Sequence, residues 1–238
     1  MKYDLVLINP PAPYIVEPGA QAPLPLLYLY SSMKAKGWNV SYIDLTSVPV
    51  TECVASLPEA MVYGFTTTYV DYSTVEKLSI ELMKLGKRTI LGGPFVSSCF
   101  DMINLNAFNS VVKGEGEIIL HQILLDAKED NMQKVYTADR IIDLDSLPFP
   151  ARDILDKQGG NIFIKGHKYG EGESTSLLTT RGCPYNCAFC GSRAIWGKRQ
   201  RYRSIENVIS EMEECCTKYN IRSFRISDDN ITHNKSRL

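Results

Sequence analysis

Short apolar runs alternate with stretches of three- to four-residue periodicity along the first part of the chain. Residues 3–8 (YDLVLI) are almost continuously apolar, the pattern of a strand buried on both faces. Leu26, Leu27, Tyr30 and Met33 then fall at helical spacing, with Pro25 near the start and Gly37 past the end. Strands are predicted at residues 40–45 and 61–65. Ser73 with Glu76 three residues on has the form of a capping box. Val75, Leu78, Leu82 and Leu85 come next on one helical face, with Gly86 beyond it. Residues 89–91 read as a fourth strand running into Gly92-Gly93-Pro94, and 110–112 as a short fifth. A helix through Ile119, Ile123 and Leu124 completes this part.

Strand and helix alternating across short connections imply an α/β domain, a flavodoxin-like open parallel sheet over residues 1–140 with helices on both faces. Residues 141–173 read as a linker, because Leu147-Pro148-Phe149-Pro150 cannot continue a helix and Gly159, Gly160, Gly166, Gly170 and Gly172 punctuate the rest of the stretch. From residue 174 the pattern resumes: a strand-like 176–180, a helix over 204–219 with Ser204 as N-cap, and a strand at 223–227. Ile205, Val208, Ile209, Met212 and Tyr219 mark the helix's apolar stripe, which Cys215 and Cys216 extend.

Composition narrows the classes. The 238 residues carry 26 Lys plus Arg against 27 Asp plus Glu, a formal net charge of -1, which disfavours nucleic-acid binding by bulk charge. No apolar stretch nears the ~18 residues that a membrane span needs. The N-terminus lacks the basic-then-apolar order of a signal peptide, so a reducing, cytoplasmic setting is expected. There the seven cysteines read as ligands, catalysts or core residues rather than disulfides.

An open parallel sheet places a ligand beyond the carboxyl ends of its strands. Those ends carry Asn9-Pro10-Pro11, Thr66-Thr67-Thr68 and Gly92-Gly93, glycines and hydroxyls suited to close approach, although Gly92 and Gly93 could equally serve only the strand-to-helix turn. The densest chemistry is Cys183-Pro184-Tyr185-Asn186-Cys187-Ala188-Phe189-Cys190. Three thiolates at these spacings suit an iron–sulfur cluster with one iron left open. Two readings compete: structural zinc, which would recruit Cys215, Cys216 or His167 as a fourth ligand, and plain core packing. Arg193, Lys198, Arg199, Arg201 and Arg203, interleaved with Trp196 and Tyr202, read either as a solvated loop or as a surface for an electron donor or anionic substrate. By its residues alone Asp228-Asp229 is a helix cap or ordinary turn chemistry.

The Cys183-x-x-x-Cys187-x-x-Cys190 spacing with Phe189 before the last cysteine resembles the radical S-adenosylmethionine enzymes. The stretches 180–184, 203–208 and 226–232, with Asn9-Pro10-Pro11, Gly92-Gly93-Pro94, 112–117 and 147–152, are similar to the branch that carries an N-terminal cobalamin-binding domain. The resemblance implies a 4Fe–4S cluster on Cys183, Cys187 and Cys190, with S-adenosylmethionine on the open iron, cleaved to a 5′-deoxyadenosyl radical. It implies Phe189 against the adenine, and Asp228 and Asp229 near the amino group. Cobalamin would lie at Asn9, Thr66, Gly92 and Gly93, without a histidine on cobalt, since Asp-x-His-x-x-Gly is missing after the first strand.

Residues 174–238 then correspond to the N-terminal part of a partial (β/α) barrel whose remaining units are not in this sequence. The implied reaction is methyl transfer to an unactivated carbon of a small-molecule or peptide substrate, with an electron donor such as flavodoxin or ferredoxin. Alternatives are a radical rearrangement or cyclisation, or a non-catalytic ligand-binding module.

Overall fold

The computed structural model describes residues 2–14, 22–157 and 173–237. They fall into two compact units, one reaching up to Arg140 (residues 22–24 excepted) and one beginning at Ile141.

In the first unit the N-terminal apolar run becomes β1 (Tyr3–Asn9), followed by α1 (Leu24–Ala35), β2 (Val40–Asp44) and β3 (Ala60–Thr66). Then come α2 (Tyr72–Lys84), β4 (Arg88–Gly92), α3 (Pro94–Ser98), β5 (Ser110–Lys113) and α4 (Gly116–Lys128). A sixth strand, β6 (Val135–Thr137), is too short to show a period and is invisible in the hydrophobic pattern. All pairings are parallel, in the order β2-β1-β3-β4-β5-β6. The order reverses between β1 and β3, and a crevice opens beyond the carboxyl ends at such a switch point.

Alternation along the strands fills both faces. Val6, Ile8, Tyr63, Phe65, Leu91 and Val111 share one core with Val75, Leu78 and Leu82 of α2 and Phe95 of α3. Leu5 and Leu7 face the other way, where Gly64 makes room: a Cβ there would meet Leu7 Cδ2 at 3.3 Å.

Two local expectations fail for geometric reasons. The Ser73–Glu76 capping box does not form, because α2 starts a residue before Ser73. Asp71 takes the N-cap position but turns its carboxylate to Thr68 Oγ1 (2.6 Å) and to the Tyr14 hydroxyl, while Glu76 accepts from Asn104 Nδ2. Leu85 is 61 % exposed, because the helix has already closed around it: Gly86 N–H reaches Met83 O and Lys87 N–H reaches Leu82 O.

The second unit contains α5 (Asp153–Lys157), β7 (Glu173–Leu177), β8 (Thr180–Arg181), α6 (Ser192–Trp196), β9 (Arg201–Tyr202), α7 (Ile205–Tyr219) and β10 (Ile221–Ile226). β10 lies parallel to β7, and β8 pairs antiparallel with β9. The strand expected at 176–180 is thus interrupted after Leu177 and resumes at Thr180. The described part of the expected linker, 141–157, is instead folded into this unit. Ile154, Leu155 and Arg152 are buried, and the Asp145 carboxylate accepts from Ser204 N–H at 2.9 Å. The remaining glycines of that stretch and His167 lie outside the described residues.

Ser204 caps α7 as expected, its Oγ accepting from Asn207 N–H. The buried stripe of α7 is rotated from the expected one, with Ile205 and Ile209 exposed and Glu211 and Cys215 buried. Glu211 is an acid at a core position because two guanidiniums meet it: Arg152 Nη2 lies 2.7 Å from Oε1, and Arg203 Nη1 bonds Oε2. The same arginines donate to the Ser176 and Leu178 carbonyls at 2.8 and 2.9 Å. Removing one member of such a buried group leaves uncompensated charge. Glu211→Ala is therefore expected to cost about 3–5 kcal/mol in denaturant unfolding of the second unit, far more than Glu213→Ala on the exposed side of α7.

Candidate functional site

The cysteine loop follows β8 within the second unit, entered through Gly182. Gly182 has φ +92, and a Cβ on it would lie 2.7 Å from the Arg199 carbonyl, so only glycine lets the chain pass there. Residues 183–190 then cross the surface without regular structure, closed by Cys190 N–H donating to Cys187 O at 3.1 Å. All three thiols are free; Cys183 is half-buried, Cys187 and Cys190 exposed. Phe189 is 93 % exposed. Among the described residues no three His, Cys, Asp or Glu side chains are gathered as a metal would require. The structure thus puts the three thiols on one short loop without converging them. As a donor set they fit a cluster: soft ligands, free of disulfides, reachable from solvent, with an apolar ring beside them.

Asp228 and Asp229 follow β10, and their carboxylates are turned onto this chain. Asp228 Oδ1 accepts from Thr179 N–H (2.7 Å) and Thr180 N–H (3.1 Å), and Oδ2 accepts from Thr179 Oγ1 (2.5 Å). Asp229 Oδ2 accepts from Ser192 Oγ at 2.6 Å.

In the first unit Asn9, Thr66 and Gly92 are the last residues of β1, β3 and β4, so the sheet brings them to one edge across the switch point. Gly93 adopts φ +105, ψ -178, a region essentially reserved for glycine. A Cβ there would sit 2.7 Å from both Thr66 Oγ1 and Thr67 N. Its turn-making role is therefore real, while Gly92 meets only Val112 Cβ at 4.0 Å and is the one of the pair whose face is open. The hydroxyls of Thr67 and Thr68 serve their own loop. The sequence pattern did not single out Tyr69: 73 % exposed beside that edge, it rests edge-on against Phe95 at 5.6 Å. Its only signal is a large aromatic in a loop after a strand end. His121 is not at this edge, since its Nδ1 accepts from Trp38 Nε1, ahead of β2.

The expected basic surface is smaller than its sequence suggests. Arg201 and Arg203 are only 5 % exposed and donate inward, to the Ile141 and Leu178 carbonyls among others. Cys215 is a core thiol whose pKa burial pushes up to about 11. Cys53 is likewise buried and raised by desolvation.

This geometry has two measurable outcomes. Iodoacetamide at pH 8 should label Cys187 and Cys190 in the native chain, with Cys53 and Cys215 modified only in denaturant; peptide mass mapping reads the order. Gly93→Ala should destabilise the first unit by about 1–3 kcal/mol in urea, with Gly92→Ala within about 1 kcal/mol of the parent.

No family model matches the chain. An uncharacterised methyltransferase of Pyrococcus horikoshii is 29% identical over 241 residues, covering 90% of this chain and 50% of that protein. The bacteriochlorophyllide d C-12(1)-methyltransferase of Chlorobaculum tepidum is 25% identical over 97% of this chain and 49% of its own length. The anaerobic magnesium-protoporphyrin IX monomethyl ester cyclase of a Synechocystis strain is 25% identical over 98% of this chain and 50% of its own. In fold, the radical S-adenosylmethionine methyltransferase TsrM of Kitasatospora setae, solved with cobalamin and a 4Fe–4S cluster, superposes with a TM-score of 0.69 at 20% identity. That match covers 97% of this chain and 48% of TsrM, and at this identity it speaks for the fold alone. The chain spans about half the length of the curated relatives it matches. Over that span it is similar in sequence to proteins named as methyltransferases and, in fold, to the first half of a radical S-adenosylmethionine methyltransferase.

Proposed function

We propose that this chain is the cofactor-holding part of a radical S-adenosylmethionine methyltransferase. In this reading residues 1–140 form a cobalamin-binding domain and 174–238 begin the catalytic barrel. The observation that carries the proposal is the set of three free thiols on one surface loop, at the carboxyl end of a strand. The overlap with the methyltransferases above supports it.

Cys183, Cys187 and Cys190 would be the thiolate ligands of a 4Fe–4S cluster, and Phe189 would cover the adenine of S-adenosylmethionine. Such a cluster supplies electrons and an open coordination position, and cobalamin supplies a methyl carrier. The S-adenosylmethionine ammonium group falls more readily to Asp229 than to Asp228, which already accepts three bonds from its own chain. Asn9, Thr66 and the open face of Gly92 would line the cobalamin edge, with Gly93 holding the turn and Tyr69 adding an apolar ring. His121, engaged with Trp38, does not supply a cobalt ligand.

Methyl transfer to an unactivated carbon is the reaction we favour. The cyclase among the relatives makes radical cyclisation the second reading. No helix of the described residues is long and apolar enough to cross a membrane. A reducing cytoplasm and a flavodoxin- or ferredoxin-type electron donor fit the exposed thiols.

Anaerobic reconstitution with ferrous iron and sulfide is the direct test. About four iron and four sulfide per chain are expected, and Cys187→Ala should lose most of both. Zinc alone, or no metal, would overturn the cluster. In parallel, hydroxocobalamin added to the chain should give a bound absorption spectrum without the nitrogen-ligated form, and no spectral change would overturn the cobalamin assignment.

A further inference from the structure

Asp228 and Asp229 are adjacent in sequence, yet they bind opposite ends of the cysteine loop. Asp228 takes the upstream end through both N–H groups of Thr179 and Thr180 and the Thr179 hydroxyl. Asp229 takes the downstream end through Ser192 Oγ, two residues past Cys190. The contacts are sheltered, since Thr179, Thr180 and Ser192 are 7 %, 3 % and 7 % exposed. Neighbouring bonds stiffen the upstream anchor. Gln200 Nε2 donates to Thr180 Oγ1 (3.2 Å) and to the Asn230 carbonyl (2.7 Å), and Arg203 N–H reaches Thr179 O at 3.0 Å. The pair is itself fixed, because Ser227 N–H continues the ladder to Leu177 O at 2.8 Å.

We propose that Asp228 and Asp229 are positioning residues that pin both ends of the loop 181–191 to the carboxyl end of β10, setting the span within which the three thiols converge on a metal cluster. The consequence for the cluster rests on the function proposed above; the brace does not. Hydrogen bonds to an ionised carboxylate are stronger than neutral ones, so two adjacent carboxylates hold the ends firmly. Holding the ends together removes loop-closure entropy that the thiols would otherwise lose on binding. With the anchors cut, Cys183 and Cys190 belong to a loop whose ends drift, and the cluster is held less tightly without any ligand being changed.

The test uses the full chain and two readouts. In iron-free protein, Asp228→Ala should raise amide hydrogen exchange at Thr179 and Thr180 about tenfold or more, with the amides of α7 unchanged. In reconstituted protein challenged with a chelator, Asp229→Ala and Ser192→Ala should lose iron several-fold faster than the parent. Asp229→Asn keeps a neutral acceptor for Ser192 and should lose iron more slowly than Asp229→Ala. Unchanged exchange in Asp228→Ala, or iron loss indifferent to whether residue 229 is Asn or Ala, would overturn the brace. If the parent takes up no iron, the cluster reading fails, and the exchange experiment still decides the brace. If Asp228→Ala does not fold, Thr179→Val replaces it, since it removes one bond to the same carboxylate and should raise exchange at Thr180.

Discussion

The second unit turns on a carboxylate with almost no access to water. Glu211 is 1 % exposed, and the guanidiniums of Arg152 and Arg203 close on its two oxygens. Desolvating three charges is expensive, and their mutual attraction repays it only when the remaining donors are also used. Here several are: the two arginines reach the carbonyls of Ser176 and Leu178, and Arg203 also holds the Asn207 side chain, while Arg152 Nε is left without a partner. One buried ion group thereby ties the segment at 141–157, the entry to α7 and the end of β7 together. An apolar trio could fill that volume, but it could not reach the carbonyls where β7 breaks off. The break matters because the chain runs from it through β8 into the cysteine loop.

A shared rule governs where chemistry gathers in each unit. Parallel strands end on the same edge, and the loops that leave them are free to carry function while the strands stay buried. In the first unit β1, β3 and β4 end on Asn9, Thr66 and Gly92. In the second unit β7 and β10 are parallel and in register at Leu177 and Ile226, so Thr179 and Asp228 come to the same end. The side chains of ligand-bearing type there divide into two kinds. Asp228, Thr67, Thr68 and Gly93 shape the backbone, whereas Phe189, Cys187, Cys190 and Tyr69 are left outward for something else to meet.

Much of the fold was legible because burial imposes a period. Five of the six strands of the first unit could be read from apolar runs, and so could α1, α2 and α4 from their stripes. The α7 stripe misled. Isoleucines at 205 and 209 outweigh a glutamate by hydropathy, yet Glu211 faces inward because its partners come from residues 59 and eight positions upstream. A charged residue reads as surface unless its counter-ions are known, and those become neighbours only when the chain has folded. The supposed linker misled for the same reason: Arg152 marks it as packed, but only through Glu211.

By itself the sequence determined the alternating parallel-sheet architecture, the N-cap of α7 and the thiol spacing of 183, 187 and 190, since periodicity, caps and spacing are local properties of a chain. It also determined that Asn9-Pro10-Pro11, and not an Asp-x-His-x-x-Gly pattern, stands at the end of β1. Tertiary structure decided what pairs with what: that β10 joins β7, that Arg152 and Arg203 meet on Glu211, that Gly93 rather than Gly92 is sterically required, and that Asp228 and Asp229 face Thr179 and Ser192. These contacts bridge residues far apart in sequence. Their existence depends on strand order and burial, which no local pattern encodes.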